Sequence, residues 1–190
     1  MNRSVVLAIS GASGAVYSVR LLQQLVASAV PVELTVSEAG CQVIQQELGI
    51  ELDSNQIQID ALLDYQIPGC QPLEIPPLRQ VRAYQYKDLM SPIASGSHRT
   101  LGMVVCPCSG GTLGSIASGN SGNLIHRGAE VHLKERRKLI LVTRETPLSA
   151  IAIGRSKVFM SFISLLCADT EAGSRDATIT ANPASVDFFI

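Results

Sequence analysis

The sequence contains no tryptophan, and only 4% of its 190 residues are aromatic. A flat cofactor would therefore be held mainly by backbone groups, hydroxyls and charges. No apolar run approaches the roughly 18 residues that a membrane-spanning helix requires. Basic residues are not in surplus either, because 15 Lys and Arg face 16 Asp and Glu. We therefore predict no membrane span and no nucleic-acid partner.

Metal-binding and disulfide patterns are also missing. The five cysteines are an odd number and include no CxxC pair, and His98, His126 and His132 are widely spaced. These absences predict no metal site and favour buried, reduced thiols in a cytoplasmic protein. The first apolar stretch breaks at Gly11, which indicates a strand and not a signal peptide.

What is present is a globular composition, with 46% hydrophobic and 16% charged residues. Apolar runs alternate with helical spacings of apolar residues. They predict strands over 4–10, 32–36, 78–84, 102–106 and 138–143, and helices over 16–28, 38–48, 57–63, 113–117 and 123–136. This alternation favours a doubly wound α/β fold, a parallel sheet with helices on both faces.

Four of the predicted strands run into small, hydroxyl-bearing or charged residues. These segments are Gly11–Gly14, Ser37, Ser109–Thr112 and Arg144–Glu145. In an open parallel sheet they share one edge, and ligands bind beyond that edge. Glycines let backbone N–H groups approach a phosphate, and a following helix N-terminus adds a favourable dipole. The guanidinium of Arg144 can pair with the same anion.

Each segment has a simpler interpretation when taken alone. Gly11–Gly14 matches neither GxGxxG nor a Walker A loop, and a tight turn explains it equally well. Ser109 and Thr112 could cap the next helix, and Arg144–Glu145 could be a surface ion pair. The charge run 134–138 is typical of a solvated helix end. The convergence of four segments on one edge favours a ligand site.

Several motifs, in this order and at these spacings, are specific enough to indicate a family. They are Gly11–Tyr17 with Arg20–Leu22, Ala94–Ser97, Met103–Ser109 with Thr112–Leu113, Asn123–Arg127, Ala129–Val131, Leu133–Arg137 and Arg144–Ser149. Over about residues 3–151 the chain resembles the UbiX-type flavin prenyltransferases. Members were formerly named 3-octaprenyl-4-hydroxybenzoate carboxy-lyases or phenylacrylic acid decarboxylases.

The resemblance implies a flavodoxin-like, Rossmann-like fold that assembles into homo-oligomers, often dodecamers. It implies an enzyme that joins a dimethylallyl group from dimethylallyl phosphate to N5 and C6 of reduced FMN, without a metal. The product, prenylated FMN, would serve a UbiD-type decarboxylase, as in ubiquinone biosynthesis or aromatic acid breakdown.

The family's site residues carry over by position. The positions that correspond to FMN contacts are Gly11, Ala12, Ser13, Ser37, Ser109, Gly110, Gly111, Thr112 and Arg144. Ser13, Glu47 and Glu145 correspond to polar groups near the reacting centre, where Glu145 and Ser13 could move protons. Arg127 and Lys134 correspond to positions that hold the prenyl phosphate across a subunit boundary.

The resemblance ends near Ile151, which divides the chain into an FMN-binding domain, 1–151, and a divergent tail, 152–190. Poor order is one expectation for this tail. The family has a tyrosine and a later basic residue there for the prenyl phosphate, but residues 152–190 contain no tyrosine. Two alternatives therefore stay open. One is an FMN-dependent cysteine-type decarboxylase, although its Pro-x-Met-Asn clamp motif is absent. The other is a non-catalytic FMN-binding accessory subunit.

Overall fold

Strands and helices alternate along the chain, as the spacing of apolar residues predicts. The computed structural model describes residues 3–76 and 80–143, and the backbone of two short strands over 159–160 and 187–189. The strands are β1 Val5–Ile9, β2 Val32–Val36, β3 Val81–Tyr84, β4 Gly102–Cys108, β5 Lys138–Thr143, β6 Phe159–Met160 and β7 Asp187–Phe189. The helices are α1 Ala15–Ala27, α2 Glu38–Leu48, α3 Ile59–Leu63, α4 Gly110–Ala117 and α5 Leu124–Lys134, with a 3₁₀ turn over Pro92–Ala94.

All the paired strands run parallel, in the order β3-β2-β1-β4-β5-β7-β6. The chain winds outward from β1 to β3 and then returns to lay β4 on the other side of β1. The strand order therefore reverses between β1 and β4, which is where ligands bind in doubly wound sheets. The predicted fold class is confirmed.

The alternation of side chains along β1 builds two cores, one on each face of the sheet. Leu7 and Ile9 lie in a cluster with apolar residues of α1, α2 and α3. Val6 and Ala8 lie in the other cluster, with residues of α4, α5 and the 3₁₀ turn. All four side chains are at most 1% exposed. Helices therefore cover both faces and leave the strand ends as the accessible edges.

Several predicted boundaries differ from the structure. The strand predicted to stop at Cys106 continues to Cys108, with a register shift against β5 between Val105 and Cys108. Pro107 has no N–H to donate, and a bulge absorbs the missing ladder bond. The next helix begins at Gly110, three residues before the predicted Leu113, because Ser109 caps it. Helix α3 begins at Ile59, and β3 begins at Val81.

Helix α5 is shorter than predicted at both ends. Asn123 is its N-cap and accepts a hydrogen bond from the His126 amide, and Glu135 is its C-cap. A left-handed residue, Arg136 with φ 54°, then turns the chain into β5.

Two short strands of the predicted tail extend the sheet beyond β5. Ile140 pairs with Asp187 and Leu141 with Phe188, and β6 pairs with the outer side of β7. The division into 1–151 and 152–190 stays a prediction. Among the described residues, no helix is long and apolar enough to cross a membrane.

Candidate functional site

A buried serine joins the carboxyl ends of β1 and β4, at the switch point. Ser10, which is 2% exposed, donates its hydroxyl to the Pro107 carbonyl at 2.8 Å and accepts from the Ser109 amide at 2.8 Å. The Ser10 amide also donates to the Pro107 carbonyl, at 3.2 Å. These bonds fix the end of β4 against the end of β1, and therefore fix the start of α4. Our sequence reasoning missed Ser10, although a hydroxyl closing an apolar strand was a usable signal.

Two helices that start at this edge carry serine caps. Ser37 accepts from the Gly40 amide at 3.0 Å, and Ser109 accepts from the Thr112 amide at 3.2 Å. The Ser109 hydroxyl also donates to the Thr112 hydroxyl, at 3.0 Å. The capping interpretation of Ser109 and Thr112 is therefore correct, and it is compatible with a ligand site because a cap leaves other first-turn amides available.

The start of α4 is open. A side chain built on Gly110 or Gly111 would meet nothing within 4 Å, and both residues are exposed. Their amides are at the first two helical positions and make no hydrogen bond to another described residue. Amides of this kind at a helix N-terminus are suited to bind an anion.

The Gly11–Gly14 turn is organised differently from the prediction. We expected its backbone amides to be available to a phosphate. Instead the Glu47 carboxylate accepts from the Gly14 amide at 3.0 and 3.1 Å and from the Ala15 amide at 2.8 Å. A carboxylate at the N-terminus of α1 satisfies the helix dipole as an anion would. Within the predicted turn, the Gly14 amide is therefore occupied by an internal anion, and the FMN contacts of Gly11, Ala12 and Ser13 stay predictions.

Close packing explains the first glycine of the turn, and backbone conformation explains the second. A Cβ on Gly11 would overlap the Cβ of Ala39 at the start of α2, and Gly14 has a left-handed φ of 102°. Ala12 and Ser13 are half-buried between them. The turn thus brings Ser13, Ser37 and Glu47 to the same edge of the sheet as Ser109.

Two predicted residues, Arg144 and Glu145, lie outside the described residues. Strand β5 ends just before them, at Thr143, whose hydroxyl is buried and has no hydrogen-bond partner among the described residues. Thr143 is paired with Cys108 at the end of β4. An unpaired hydroxyl and an open helix start at one edge fit a polar ligand there.

The two predicted phosphate-binding cations lie on α5, Arg127 in its first turn and Lys134 at its last residue. Arg127 donates to the Glu130 carboxylate at 2.8 Å and, through Nε, to the Ala94 carbonyl at 3.3 Å. Hydrogen bonds from Ser121 and Arg127 hold the pKa of Glu130 below its usual value. Lys134, the last residue of α5, pairs with Glu135 at 2.5 Å. The structure therefore groups Arg127 and Lys134 around residues 94–98.

The opposite, amino edge of the sheet carries a polar cluster that sequence reasoning missed. Glu33 is the second residue of strand β2 and is 7% exposed. Its carboxylate accepts from the Ser4 hydroxyl at 2.6 Å and pairs with His98 Nε2 at 2.7 Å. Arg137 donates to the carbonyls of Gly96 and His98. A charged residue inside the apolar run of β2 was the signal.

His132 belongs to the same edge and is 1% exposed. Its Nδ1 donates to the Gly128 carbonyl at 2.7 Å, so Nε2 accepts from the Thr100 hydroxyl at 2.8 Å. Burial lowers the pKa of His132, which favours this neutral form. Among the described residues, no group of three or more His, Cys, Asp or Glu could hold a metal.

The cysteines follow the prediction of buried thiols in part. Cys41, Cys106 and Cys108 are buried and unpaired, and burial raises their pKa to about 11, about 12 and about 12. Cys70 is exposed, so the prediction is wrong for this residue, which lies in the irregular segment before β3. Cys167 lies outside the described residues.

A doubly wound parallel sheet, with serine-capped helices and glycine turns at its switch point, defines the class of α/β proteins that bind a nucleotide-like cofactor at the carboxyl edge. Comparison with known proteins narrows this class. The Flavoprotein family model matches residues 1–172. Flavin prenyltransferase UbiX of Halalkalibacterium halodurans is 45% identical over 143 residues, and that of Alkalihalophilus pseudofirmus is 42% identical over 151 residues. These matches cover 75% and 80% of the chain and span 64% and 70% of the relatives.

Solved structures of UbiX-type proteins are similar to this chain as well. The structure of AnUbiX (PadA1) in complex with FMN and dimethylallyl pyrophosphate is 37% identical, with a TM-score of 0.64 over 82% of this chain and 71% of that one. A dodecameric FMN-dependent UbiX-like decarboxylase from Escherichia coli O157:H7 is 34% identical, with a TM-score of 0.62 over 80% and 72%. The chain belongs to the flavoprotein family and, within it, to the UbiX-type flavin prenyltransferases.

Proposed function

We propose that this protein is a flavin prenyltransferase, which joins the dimethylallyl group of dimethylallyl phosphate to reduced FMN. The observation that carries the proposal is the geometry at the switch point. There Ser10 fixes the start of α4 against the end of β1, and Ser37 and Ser109 cap the two helices that begin at this edge. The Gly11–Gly14 turn, Ser37 and Ser109–Thr112, which match family motifs, lie at this edge, and the similarity to UbiX enzymes names the reaction.

The carboxyl edge fits FMN. The free amides of Gly110 and Gly111, in open space at the helix dipole, suit its phosphate. The hydroxyls of Ser37, Thr112 and Thr143 can satisfy polar atoms of the ring and side chain. Arg144 would add a cation that follows β5 directly. When bound, reduced FMN supplies the electron-rich ring that receives the dimethylallyl group.

The protein's own residues handle protons and the leaving phosphate. Breaking the allylic C–O bond releases a phosphate dianion, which positive side chains stabilise as its charge develops. Glu145 would give or relay a proton to that phosphate, and Ser13 would pass protons near N5 of the ring. The Glu47 carboxylate is held by the amides of Gly14 and Ala15, so it places a fixed negative charge next to the Ser13 segment of the turn.

The arrangement of α5 supports a site shared between two copies of the chain. The helix begins near Tyr86, just past the carboxyl end of β3, where the Leu124 amide donates to the Tyr86 carbonyl. Its 11 residues run about 16 Å toward the amino edge. Lys134 is the last residue of α5 and lies at the amino-edge end of this helix, whereas Gly110 begins α4 at the carboxyl edge. We propose that Arg127 and Lys134 of one copy complete the flavin site of another in a homo-oligomer, a dodecamer by analogy with the UbiX-like decarboxylase.

The product, prenylated FMN, would pass to a UbiD-type decarboxylase. Three buried cysteines with strongly raised pKa values support a reducing, cytoplasmic setting, because none of them is paired.

The mass of the flavin tests the proposal. Purified protein is incubated anaerobically with reduced FMN and dimethylallyl phosphate, and the flavin is then extracted and weighed by mass spectrometry. A control omits dimethylallyl phosphate. Flavin heavier by one dimethylallyl unit is the expected result. Bound but unmodified flavin would contradict prenyl transfer and favour an FMN-binding accessory protein.

A further inference from the structure

The segment between the 3₁₀ turn and β4 is held in place by hydrogen bonds to its backbone. We call residues 94–98 the amino-edge loop. Arg137 Nη1 donates to the His98 carbonyl at 2.5 Å, and Nη2 donates to the Gly96 carbonyl. One guanidinium thus joins two carbonyls two residues apart, which its planar fork allows and a single ammonium does not.

A second contact holds the far end of the loop. The His98 ring pairs with Glu33, whose carboxylate is buried at the start of β2 and also accepts from Ser4. His98 is therefore attached through its side chain to the sheet and through its carbonyl to Arg137. Together these contacts fix the path of the backbone from Gly96 to His98.

This loop borders both cations that we assign to the prenyl phosphate. Arg127 Nε donates to the Ala94 carbonyl at 3.3 Å, at the start of the loop. A Cβ built on Gly96 would overlap the Glu135 carboxylate, and it would lie 3.2 Å from the Lys134 ammonium that pairs with this carboxylate. A displacement of the Gly96 backbone would therefore alter the surroundings of Lys134, and a displacement of Ala94 would alter those of Arg127.

Arg137 itself is directed at the loop backbone and not at this space. Its guanidinium is occupied by two carbonyl groups and is half-buried. Its neighbour Arg136 is exposed and makes no hydrogen bond to the described amino-edge loop. The two adjacent arginines thus carry the same charge at the same helix end, but only one of them can set the shape of the loop.

We propose that Arg137 is a positioning residue, which holds the amino-edge loop in the shape that lets Arg127 and Lys134 bind the prenyl phosphate. The inference rests on the proposed function and deepens it. It assigns to the fixed backbone of Gly96 and His98 the task of keeping the loop in place beside these two cations.

Steady-state kinetics of full-length, FMN-loaded protein tests this assignment. Arg137→Met keeps the length of the side chain but removes its donors, and Arg136→Met removes the same charge without touching the loop. For Arg137→Met we expect KM for dimethylallyl phosphate to rise about tenfold, with kcat and the FMN dissociation constant within about twofold of wild type. Arg136→Met should match the wild type. Arg137→Lys, which can reach one carbonyl, should recover part of the loss.

The outcomes separate the inference from the proposed function. A wild-type protein that produces prenylated flavin, with equal KM in Arg137→Met and Arg136→Met, would overturn the inference alone. In Arg137→Met, a fall in kcat and in FMN affinity that accompanies the rise in KM would also overturn the inference, because it would indicate a general structural role for Arg137. A wild-type protein that binds FMN but produces no prenylated flavin would overturn the proposed function, and the inference with it.

Discussion

The two edges of the sheet stabilise charge by different means. At the carboxyl edge, hydroxyls and backbone amides do this, and the start of α4 is left open and glycine-rich. At the amino edge, side chains pair directly, as the Glu33 carboxylate does with the His98 ring, and Arg137 donates to two carbonyls. The first arrangement leaves donors for a ligand, whereas the second consumes them internally. The comparison indicates that the carboxyl edge offers backbone donors to a ligand, whereas the amino edge uses internal contacts to fix the loop beside Arg127 and Lys134.

The largest effect is expected from filling the open helix start. A Cβ on Gly111 would meet no atom within 4 Å, and the exposed residue lies in a helix, so the fold should tolerate Gly111→Leu. Its side chain would occupy the space assigned to the FMN phosphate, and FMN affinity should fall about 100-fold or more, by about 3 kcal/mol. Fluorescence titration with FMN and a thermal melt measure both properties.

Gly114→Leu is the matched control for this variant. It lies one turn further along α4, where a Cβ also meets nothing within 4 Å. FMN affinity that falls equally in both variants would break the comparison between the edges, because the helix start would then not be special.

A smaller effect is expected where β1 and β4 are joined. Ser10→Ala removes one hydroxyl and leaves the Ser109 amide without its partner, while the Pro107 carbonyl keeps its bond from the Ser10 amide. The unfolding free energy should fall by about 1–3 kcal/mol. Urea denaturation measures this change, with the exposed C-cap variant Ser28→Ala as control. Equal stability of Ser10→Ala and Ser28→Ala would show that the cross-link contributes little.

The amino edge should respond to pH in a defined direction. Burial lowers the pKa of His132 below the ordinary histidine value of 6.5, so the unfolded chain binds this proton more readily than the folded one. The contribution of His132 to stability is therefore constant above pH of about 6.5 and falls as the pH drops below it. The difference between wild type and His132→Gln in urea midpoint, measured from pH 8 to pH 5, should shrink toward low pH. A difference that grows on acidification would contradict a neutral, buried imidazole.

The smallest effect concerns the thiols. Burial raises the pKa of Cys106 and Cys108 to about 12, so these thiols at the carboxyl end of β4 should stay unmodified by iodoacetamide under native conditions. Exposed Cys70 should react. Peptide mass mapping distinguishes the sites. Rapid labelling of Cys106 or Cys108 would mean that the carboxyl edge presents thiols to a ligand as well as amides.

The carboxyl edge was largely predictable from sequence. Apolar runs that end in glycine or serine identify parallel strands and the residues beyond them, because every such strand ends at the same edge. Ser37 and Ser109 were found in this way. The role of Glu47 in capping α1 could not be predicted from sequence. It depends on how closely α2 packs against the Gly11 turn, which the order of residues along the chain does not reveal.

The amino edge was largely unpredictable. Glu33, His98 and Arg137 are separated by at least 39 residues and belong to no local motif. Their pairing follows from the register of β2 against β1 and from the path of residues 94–98, both of which are tertiary. The charge run 134–138 was predicted as a solvated helix end. This holds for exposed Arg136 but is wrong for half-buried Arg137, because its guanidinium donates to the carbonyls of Gly96 and His98.

The central claim is that the two edges serve one reaction in different copies of the chain. Co-expression of Gly111→Leu and Lys134→Met chains in one assembly tests it most directly, with flavin prenylation as the readout. Each variant alone should be inactive. If sites are shared between copies, random mixing restores both intact edges at about a quarter of the sites, and activity should return to that fraction of wild type. Mixed assemblies as inactive as the single variants would contradict the account, because both edges would then have to come from the same chain.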